Sequence, residues 1–135
     1  MNKHLVFVYG SLKSGFCNHR VIESDNSTLV AQAKTQDGNF MMVSYGVYPA
    51  VYRENDGFAI SGELYEVDNT IMEHLDQLES NGRFYRRELV DVVVDDDSLE
   101  NPTVKAWMYL LLREPPRCWD GIAQVEDDTL EWVGR

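Results

Sequence analysis

One amphipathic helix interrupts a series of strand-like segments, and this pattern limits the possible folds more than any other feature of the sequence. In residues 68–79 the apolar side chains Ile71, Met72, Leu75 and Leu78 recur at helical spacing on one face. The other apolar segments are short and rich in β-branched or aromatic residues, as strands are. They cover residues 5–9, 28–36, 39–53, 58–67, 84–94 and 103–112. Because a regular β-α-β alternation is absent, we predict an α+β fold with a mostly antiparallel or mixed sheet.

Turn-forming and capping residues mark the boundaries of several segments. Asp37-Gly38 lies between two strand-like stretches and predicts a hairpin that joins them. Pro49 has no backbone N–H to donate to a ladder, so it predicts an edge strand or an irregular segment. Asp68 or Asn69 can cap the N-terminus of the helix.

The chain is long enough for one compact domain, and its C-terminal part differs from the rest. Its 135 residues can bury an ordinary hydrophobic core. Beyond residue 114 the hydrophobic pattern is weak and acidic residues are frequent. We therefore predict a domain in residues 1–113 and an acidic extension in residues 114–135. This extension would pack loosely on the domain or trail it, with Trp119 and Trp132 as candidate anchors.

The charge balance excludes several classes of partner. Twelve Lys and Arg residues face 23 Asp and Glu residues, which gives a formal net charge of −11. A surface of this charge repels phosphates, so we expect neither a nucleic acid nor an anionic membrane as a partner. The apolar run in residues 5–8 is too short for a signal peptide or a membrane span, and we expect a cytoplasmic protein.

The common motifs for cofactors and nucleophilic catalysis are absent from the sequence. It contains no G-x-G-x-x-G, no G-x-x-x-x-G-K-[ST] and no G-x-S-x-G. Cys17 and His19 could supply part of a metal site, but structural metals usually take four ligands. Cys17 and Cys118 form no C-x-x-C motif and fit two ordinary thiols, although a single bridge between them stays open. We expect no metal and no cofactor.

The first strand leads into a turn that could bind an anion. The strand ends at Tyr9 and the chain turns at Gly10, followed by Ser11 and Leu12. Successive backbone N–H groups in such a turn can form a concave site for a small carboxylate, and the hydroxyl of Ser11 adds a donor. A plain connection from a strand to a loop would have the same sequence pattern.

Several stretches of the chain together resemble the γ-glutamylcyclotransferase-like family. The first is VFVYGSLK at residues 6–13, followed by NHR at residues 18–20. The others are VYPAV at 47–51, SGELYEVD at 61–68, LDQLE at 75–79, Y-x-R at 85–87 and AWMY at 106–109. They occur in the order typical of the family and span about residues 5–112. Within the family, the first stretch is most similar to the γ-glutamylamine cyclotransferases.

The resemblance implies a fold and a set of site residues. The fold would be a small β-barrel-like sheet flanked by a few helices. Backbone groups of residues 9–12 (Tyr9, Gly10, Ser11 and Leu12) would hold the α-carboxylate of a small γ-glutamyl substrate. Glu79 would be the general acid and base. Tyr85 would line the pocket or bond to Glu79, or else it is a core aromatic. Residues 80–84 lack a proline that the family often has there.

The implied reaction is an intramolecular cyclisation that forms 5-oxoproline and releases an amine. Glu79 suits the acid/base role because a helix C-terminus disfavours further negative charge, which makes a carboxylate there more basic. Two alternatives remain open at this point. One is a non-catalytic module of the same fold that binds a small carboxylate; the other is an enzyme that removes a γ-glutamyl protecting group during biosynthesis. We interpret Tyr45, Tyr48 and Tyr109 as packing residues.

Overall fold

A computed structural model of the protein describes residues 3–10, 27–46, 48–78, 84–95, 103–112, 115 and 117–134. In these residues the strands are β1 (Lys3–Val8), β2 (Ser27–Thr35), β3 (Phe40–Ser44), β4 (Pro49–Arg53), β5 (Ala59–Asp68), β6 (Tyr85–Val94), β7 (Thr103–Leu111), β8 (Ile122–Glu126) and β9 (Thr129–Trp132). The helix α1 (Asn69–Leu78) lies between β5 and β6. The predicted α+β fold is confirmed, and strands account for most of the described regular structure.

Five strands close into a barrel. β1 pairs antiparallel with β5 and parallel with β7, and β7 pairs antiparallel with β6. β2 completes the circle by pairing antiparallel with both β5 and β6. A closed barrel leaves its strands without open edges, which protects the sheet from pairing with other chains. The barrel-like sheet that the resemblance implied is therefore present, with one flanking helix in the described part of the chain.

The strands alternate between the barrel interior and an outer face covered by α1. Phe7 on β1 and Tyr9 directly after it belong to the interior core, whereas Val6 and Val8 pack with the helix. This alternation follows from the two-residue period of a strand. Gly62 is required where β5 passes the end of β1, because a Cβ there would clash with the carbonyl oxygen of Val8. The barrel thus separates two apolar clusters by the thickness of one sheet.

The helix begins where the sequence pattern placed it. The carboxylate of Asp68 accepts a hydrogen bond of 2.9 Å from the backbone N–H of Ile71, so Asp68 is the N-cap. Ile71, Met72 and Leu75 are buried against the outer face of the barrel. At ten residues, α1 is much shorter than a bilayer-crossing helix, and the described residues contain no candidate for one.

The predicted hairpin at Asp37-Gly38 is wrong. β2 pairs with β5 and β6, whereas β3 pairs with β4 in a separate two-stranded sheet. At the turn, the carboxylate of Asp37 accepts a hydrogen bond of 3.1 Å from the N–H of Asn39, and the backbone of Phe40 then bonds to Phe58 and not to β2. Pro49 opens β4 in this small sheet, which confirms that it belongs to an edge strand.

The C-terminal residues are more ordered than the sequence predicted. β8 and β9 form an antiparallel pair, and β9 adds in parallel to the start of β5 through Thr129 and Leu130. Trp132 is buried in the main core, but Trp119 is 55% exposed. Of the two candidate anchors, Trp132 therefore packs on the barrel. Residues 129–132 pack on the domain because the two apolar side chains of this strand, Leu130 and Trp132, join the core, whereas three of the five side chains of β8 are exposed.

Candidate active site

The ends of three strands meet at one end of the barrel. β1 and β7 run parallel and both finish there, and β6 begins there because it runs antiparallel to β7. The helix starts at the opposite end, since Asp68 pairs with Lys3 at the beginning of β1. It then returns along the outer face, because Asp76 in its last turn contacts Tyr109 near the end of β7. The C-terminal end of α1 thus approaches the end of β1.

Gly10 lies at a close approach between two parts of the chain. It is buried, and a Cβ at this position would lie 2.7 Å from Cγ of Pro49. A larger residue would force the start of β4 away from the end of β1. Glycine therefore lets the β3–β4 pair cover the chain directly after Tyr9.

Tyr9 contributes its side chain to the barrel and not to an open site. Its ring belongs to the interior core, and its hydroxyl donates a hydrogen bond of 2.8 Å to the backbone carbonyl of Tyr109. Any part that Tyr9 plays in substrate binding would come from its backbone, as the resemblance implied.

A polar network holds the end of the helix to the sheet. The carboxylate of Asp76 accepts a hydrogen bond of 2.6 Å from the hydroxyl of Tyr109. The same oxygen lies 3.2 Å from Nε of Arg87, and the Arg87 guanidinium lies over the ring of Trp107, 4.6 Å from its centroid. The side chains of Asp76 and Arg87 are about three-quarters buried, at 27% and 26% exposure, so solvent weakens this ion pair less than an exposed one.

Tyr85 lies at the same end of the barrel, opposite Leu111 on β7. It is half-buried and packs against two clusters, the one beneath the helix and a smaller one formed by Val43, Ala50 and Leu111. Its ring thus lies between the helix-covered face and the β3–β4 pair. This position is compatible with both interpretations that the sequence left open.

The other predicted site residues lie outside the described residues. They are Glu79, Ser11 and Leu12, together with Cys17 and His19. The described residues contain no group of three His, Cys, Asp or Glu side chains arranged as metal ligands. Cys118 is a half-buried thiol whose backbone carbonyl accepts a hydrogen bond from the N–H of Ser44.

A buried carboxylate on β5 was missed from the sequence. Glu63 is 7% exposed, and its oxygens accept hydrogen bonds of 3.2 Å from the side-chain amide of Gln32 and from the hydroxyl of Tyr65. It pairs across the sheet with Val8, two residues before Gly10. The signal was its position between apolar neighbours in the SGELYEVD stretch.

Asp76, Arg87 and Tyr109 were also missed as a group. Each lies in a stretch that carries the family resemblance: LDQLE, Y-x-R and AWMY. The sequence suggested no role for the first two, and it suggested only packing for Tyr109. The association of the three depends on the pairing of β6 with β7 and on the path of α1, which spacing along the chain does not reveal.

One tyrosine outside this network has a perturbed pKa. Burial raises the pKa of Tyr52 on β4 above its ordinary value, and the nearby negative charge of Glu54 raises it further.

Comparison with known proteins identifies a matching family and several relatives of this chain. The sequence profile of a family described as "Gamma-glutamyl cyclotransferase, AIG2-like" matches residues 6–130. A protein of Methanocaldococcus jannaschii, provisionally named a γ-glutamylcyclotransferase, is 36% identical over 104 residues, which are 77% of this chain and 81% of the relative. The γ-glutamylcyclotransferase family protein YtfP of Escherichia coli is 29% identical over 130 residues, 96% of each chain.

A solved structure shares the fold. The crystal structure of an AIG2-like protein from Mus musculus superposes with a TM-score of 0.75 at 25% sequence identity. The superposition covers 86% of this chain and 82% of the mouse protein. The profile match extends to residue 130 and so includes most of the C-terminal segment, for which the sequence stretches suggested no counterpart.

Proposed function

Because the chain belongs to the γ-glutamyl cyclotransferase, AIG2-like family, as its sequence stretches predicted, we propose that it is an enzyme that converts a γ-glutamyl amide into 5-oxoproline and a free amine. The family supports a cyclotransferase that acts on a small molecule. The product, the catalytic residue and the class of leaving amine are parts of the proposal.

One observation carries the proposal: the end of α1 is held to the barrel end at which β1 finishes. Asp76 bonds to the hydroxyl of Tyr109, and the carbonyl of Tyr109 accepts a hydrogen bond from Tyr9. Glu79 follows the last helical residue, Leu78, by one position in the sequence. This geometry supports a site shared by the Glu79 carboxylate and the main chain of residues 9–12.

The main chain after Tyr9 would bind the α-carboxylate of the substrate. Backbone N–H groups of Gly10, Ser11 and Leu12 are suitable donors because they bind an anion without a positively charged side chain. Holding the carboxylate there would bend the glutamyl unit so that its α-amine approaches its own γ-carbonyl. Well-oriented intramolecular reactions can reach effective molarities on the order of 10⁵ M or more, so this orientation supplies much of the rate.

Glu79 would move the two protons that pass from the α-nitrogen to the leaving nitrogen. Its carboxylate takes a proton from the α-ammonium group, and the neutral amine attacks the γ-carbonyl carbon to form the ring C–N bond. Glu79 then gives this proton to the leaving nitrogen as the original amide C–N bond breaks. It next takes the extra proton from the ring nitrogen and passes it to the released amine, which leaves as an ammonium group. The atoms balance without water or a cofactor, and an acid/base group of this kind contributes roughly 10²–10⁴-fold to the rate.

The test is a turnover assay with a matched pair of variants. The purified protein is supplied with γ-glutamyl-ε-lysine, other γ-glutamyl amines and γ-glutamyl dipeptides, and 5-oxoproline is measured. We expect product from at least one substrate and a loss of kcat of roughly 10²-fold or more in Glu79→Gln. Glu73→Gln is the control, because it removes a carboxylate from an exposed position of the same helix and should keep wild-type activity.

Two results would contradict the proposal. One is the absence of 5-oxoproline across the whole panel, and the other is full activity in Glu79→Gln. If γ-glutamyl compounds raise the melting temperature equally in the wild type and in Glu79→Gln but are never turned over, the chain is a binding module and not an enzyme.

A further inference from the structure

We infer that Tyr109 is a positioning residue for this reaction, because it holds the two halves of the proposed active site in a fixed position relative to each other. Its hydroxyl bonds to the helix that leads to Glu79, and its carbonyl bonds to the residue before Gly10. The inference deepens the proposed function and rests on it. Tyr109 itself is 3% exposed, so its effect would pass through the groups that it bonds.

The hydroxyl of Tyr109 fixes the last turn of the helix. At 2.6 Å, its hydrogen bond to Asp76 has the length of a charge-assisted O–H···O⁻ bond, which is stronger than a neutral one. Arg87 holds the same carboxylate oxygen from β6, and its guanidinium lies over Trp107. Residues of two barrel strands, β6 and β7, therefore bond to one side chain of α1, Asp76. In the sequence, Asp76 lies three positions before Glu79.

The carbonyl of Tyr109 fixes the end of β1. It accepts a hydrogen bond of 2.8 Å from the hydroxyl of Tyr9, whose ring fills the barrel interior. Gly10 follows directly and has no room for a side chain beside Pro49. The backbone after Tyr9 is thus tied to the same residue of β7 that ties the helix.

The two bonds matter because proton transfer depends strongly on distance. A displacement of about 1 Å in a catalytic group can cost on the order of 10²-fold in rate. The apolar contacts of Ile71, Met72 and Leu75 hold α1 on the sheet but allow it to slide, since dispersion and burial are not directional. The directed bond from Tyr109 restricts this sliding.

Tyr109→Phe is the principal test, because it removes the hydroxyl but keeps the ring and the carbonyl. We expect kcat to fall about tenfold while KM stays within about twofold of the wild type, since the tie to Tyr9 remains. Asp76→Leu should lower kcat by a similar factor. Asp76→Asn should keep most of the activity, because its amide oxygen can still accept the hydrogen bond.

The double variant of Tyr109→Phe and Asp76→Leu separates positioning from general damage. Each change removes the same hydrogen bond, so the pair should lower kcat no further than the more harmful single change. Tyr65→Phe is the matched control, because Tyr65 is buried in the same cluster and its hydroxyl bonds to Glu63, two residues away on the same strand. We expect its kcat within about twofold of the wild type.

The outcomes also distinguish this inference from the proposed function. Wild-type kcat in Tyr109→Phe, multiplicative losses in the double variant, or an equal loss in Tyr65→Phe would each overturn the inference while Glu79→Gln is still inactive. Equal inactivity of Asp76→Asn and Asp76→Leu would also overturn it, because the bond would then not be the cause. Absence of turnover in the wild type would remove the proposed function itself.

Discussion

The barrel interior and the helix-covered outer face are built from the same strands but by different means. The interior is filled with apolar side chains such as Phe7, Leu64 and Met108, each at most 1% exposed. The outer face also has an apolar centre, but hydrogen bonds from tyrosine hydroxyls to carboxylates lie within it, at Tyr65 and Tyr109. The difference suggests that the interior supplies stability, whereas on the outer face the bond from Tyr109 to Asp76 sets the position of α1.

The largest effect on the free energy of unfolding is expected from a truncated side chain in the barrel interior. Phe7→Ala should lower the free energy of unfolding by about 3–5 kcal/mol, because it removes a fully buried ring and leaves a cavity. Urea denaturation followed by tryptophan fluorescence measures the loss. Phe84→Ala, at a partly exposed site, is the control and should cost much less. If the two changes cost the same, the interior is not the main source of stability.

A smaller effect is expected at the start of the helix. Asp68→Ala removes the N-cap bond to Ile71 and should lower the free energy of unfolding by about 1 kcal/mol. Thr70→Ala, at an exposed position of the same turn, serves as the comparison and should change stability less. Chemical denaturation of both variants gives the values. An equal loss in the two would mean that the cap does not help to hold α1.

The smallest effect is expected at an exposed ion pair between β6 and β7. Lys105 and Asp91 form an ion pair of 3.0 Å, but their side chains are 69% and 44% exposed. Lys105→Ala should therefore change the free energy of unfolding by at most about 1 kcal/mol, and added salt should reduce even that change. A larger loss of unfolding free energy, measured by denaturation at moderate salt, would show that surface charge pairs, and not only the covered face, stabilise the barrel.

Local patterns were sufficient to predict the elements of the fold. The two-residue period of the strands and the helical spacing in residues 68–79 predicted nearly all barrel strands and α1, with ends within about two residues. The barrel itself came from the family resemblance, because pairing between strands as distant as β1 and β7 leaves no trace in local spacing. Asp37-Gly38 misled because the chain that follows it pairs with Phe58 and with β4, which local spacing does not show.

The candidate site could be predicted only as separate stretches. The sequence indicated Tyr9, Gly10 and Tyr85, and the structure places all three at one end of the barrel. It did not indicate why Tyr109 matters, because a tyrosine in a strand is most often a packing residue. Its two hydrogen bonds join residues that lie 33 and 100 positions away in the chain, and such contacts exist only after the barrel has closed.

The parallel pairing of β1 with β7 has a consequence for how the chain reaches its native state. β1 pairs with β7, whose residues begin at Thr103, so the barrel cannot close until most of the polypeptide has been synthesised. Joining segments so far apart in sequence costs loop entropy before it gains contacts, which places this topology among the slower folders of its size. Until then, one edge of β1 (Lys3–Val8) has no partner from β7, and the other edge can pair with β5 (Ala59–Asp68).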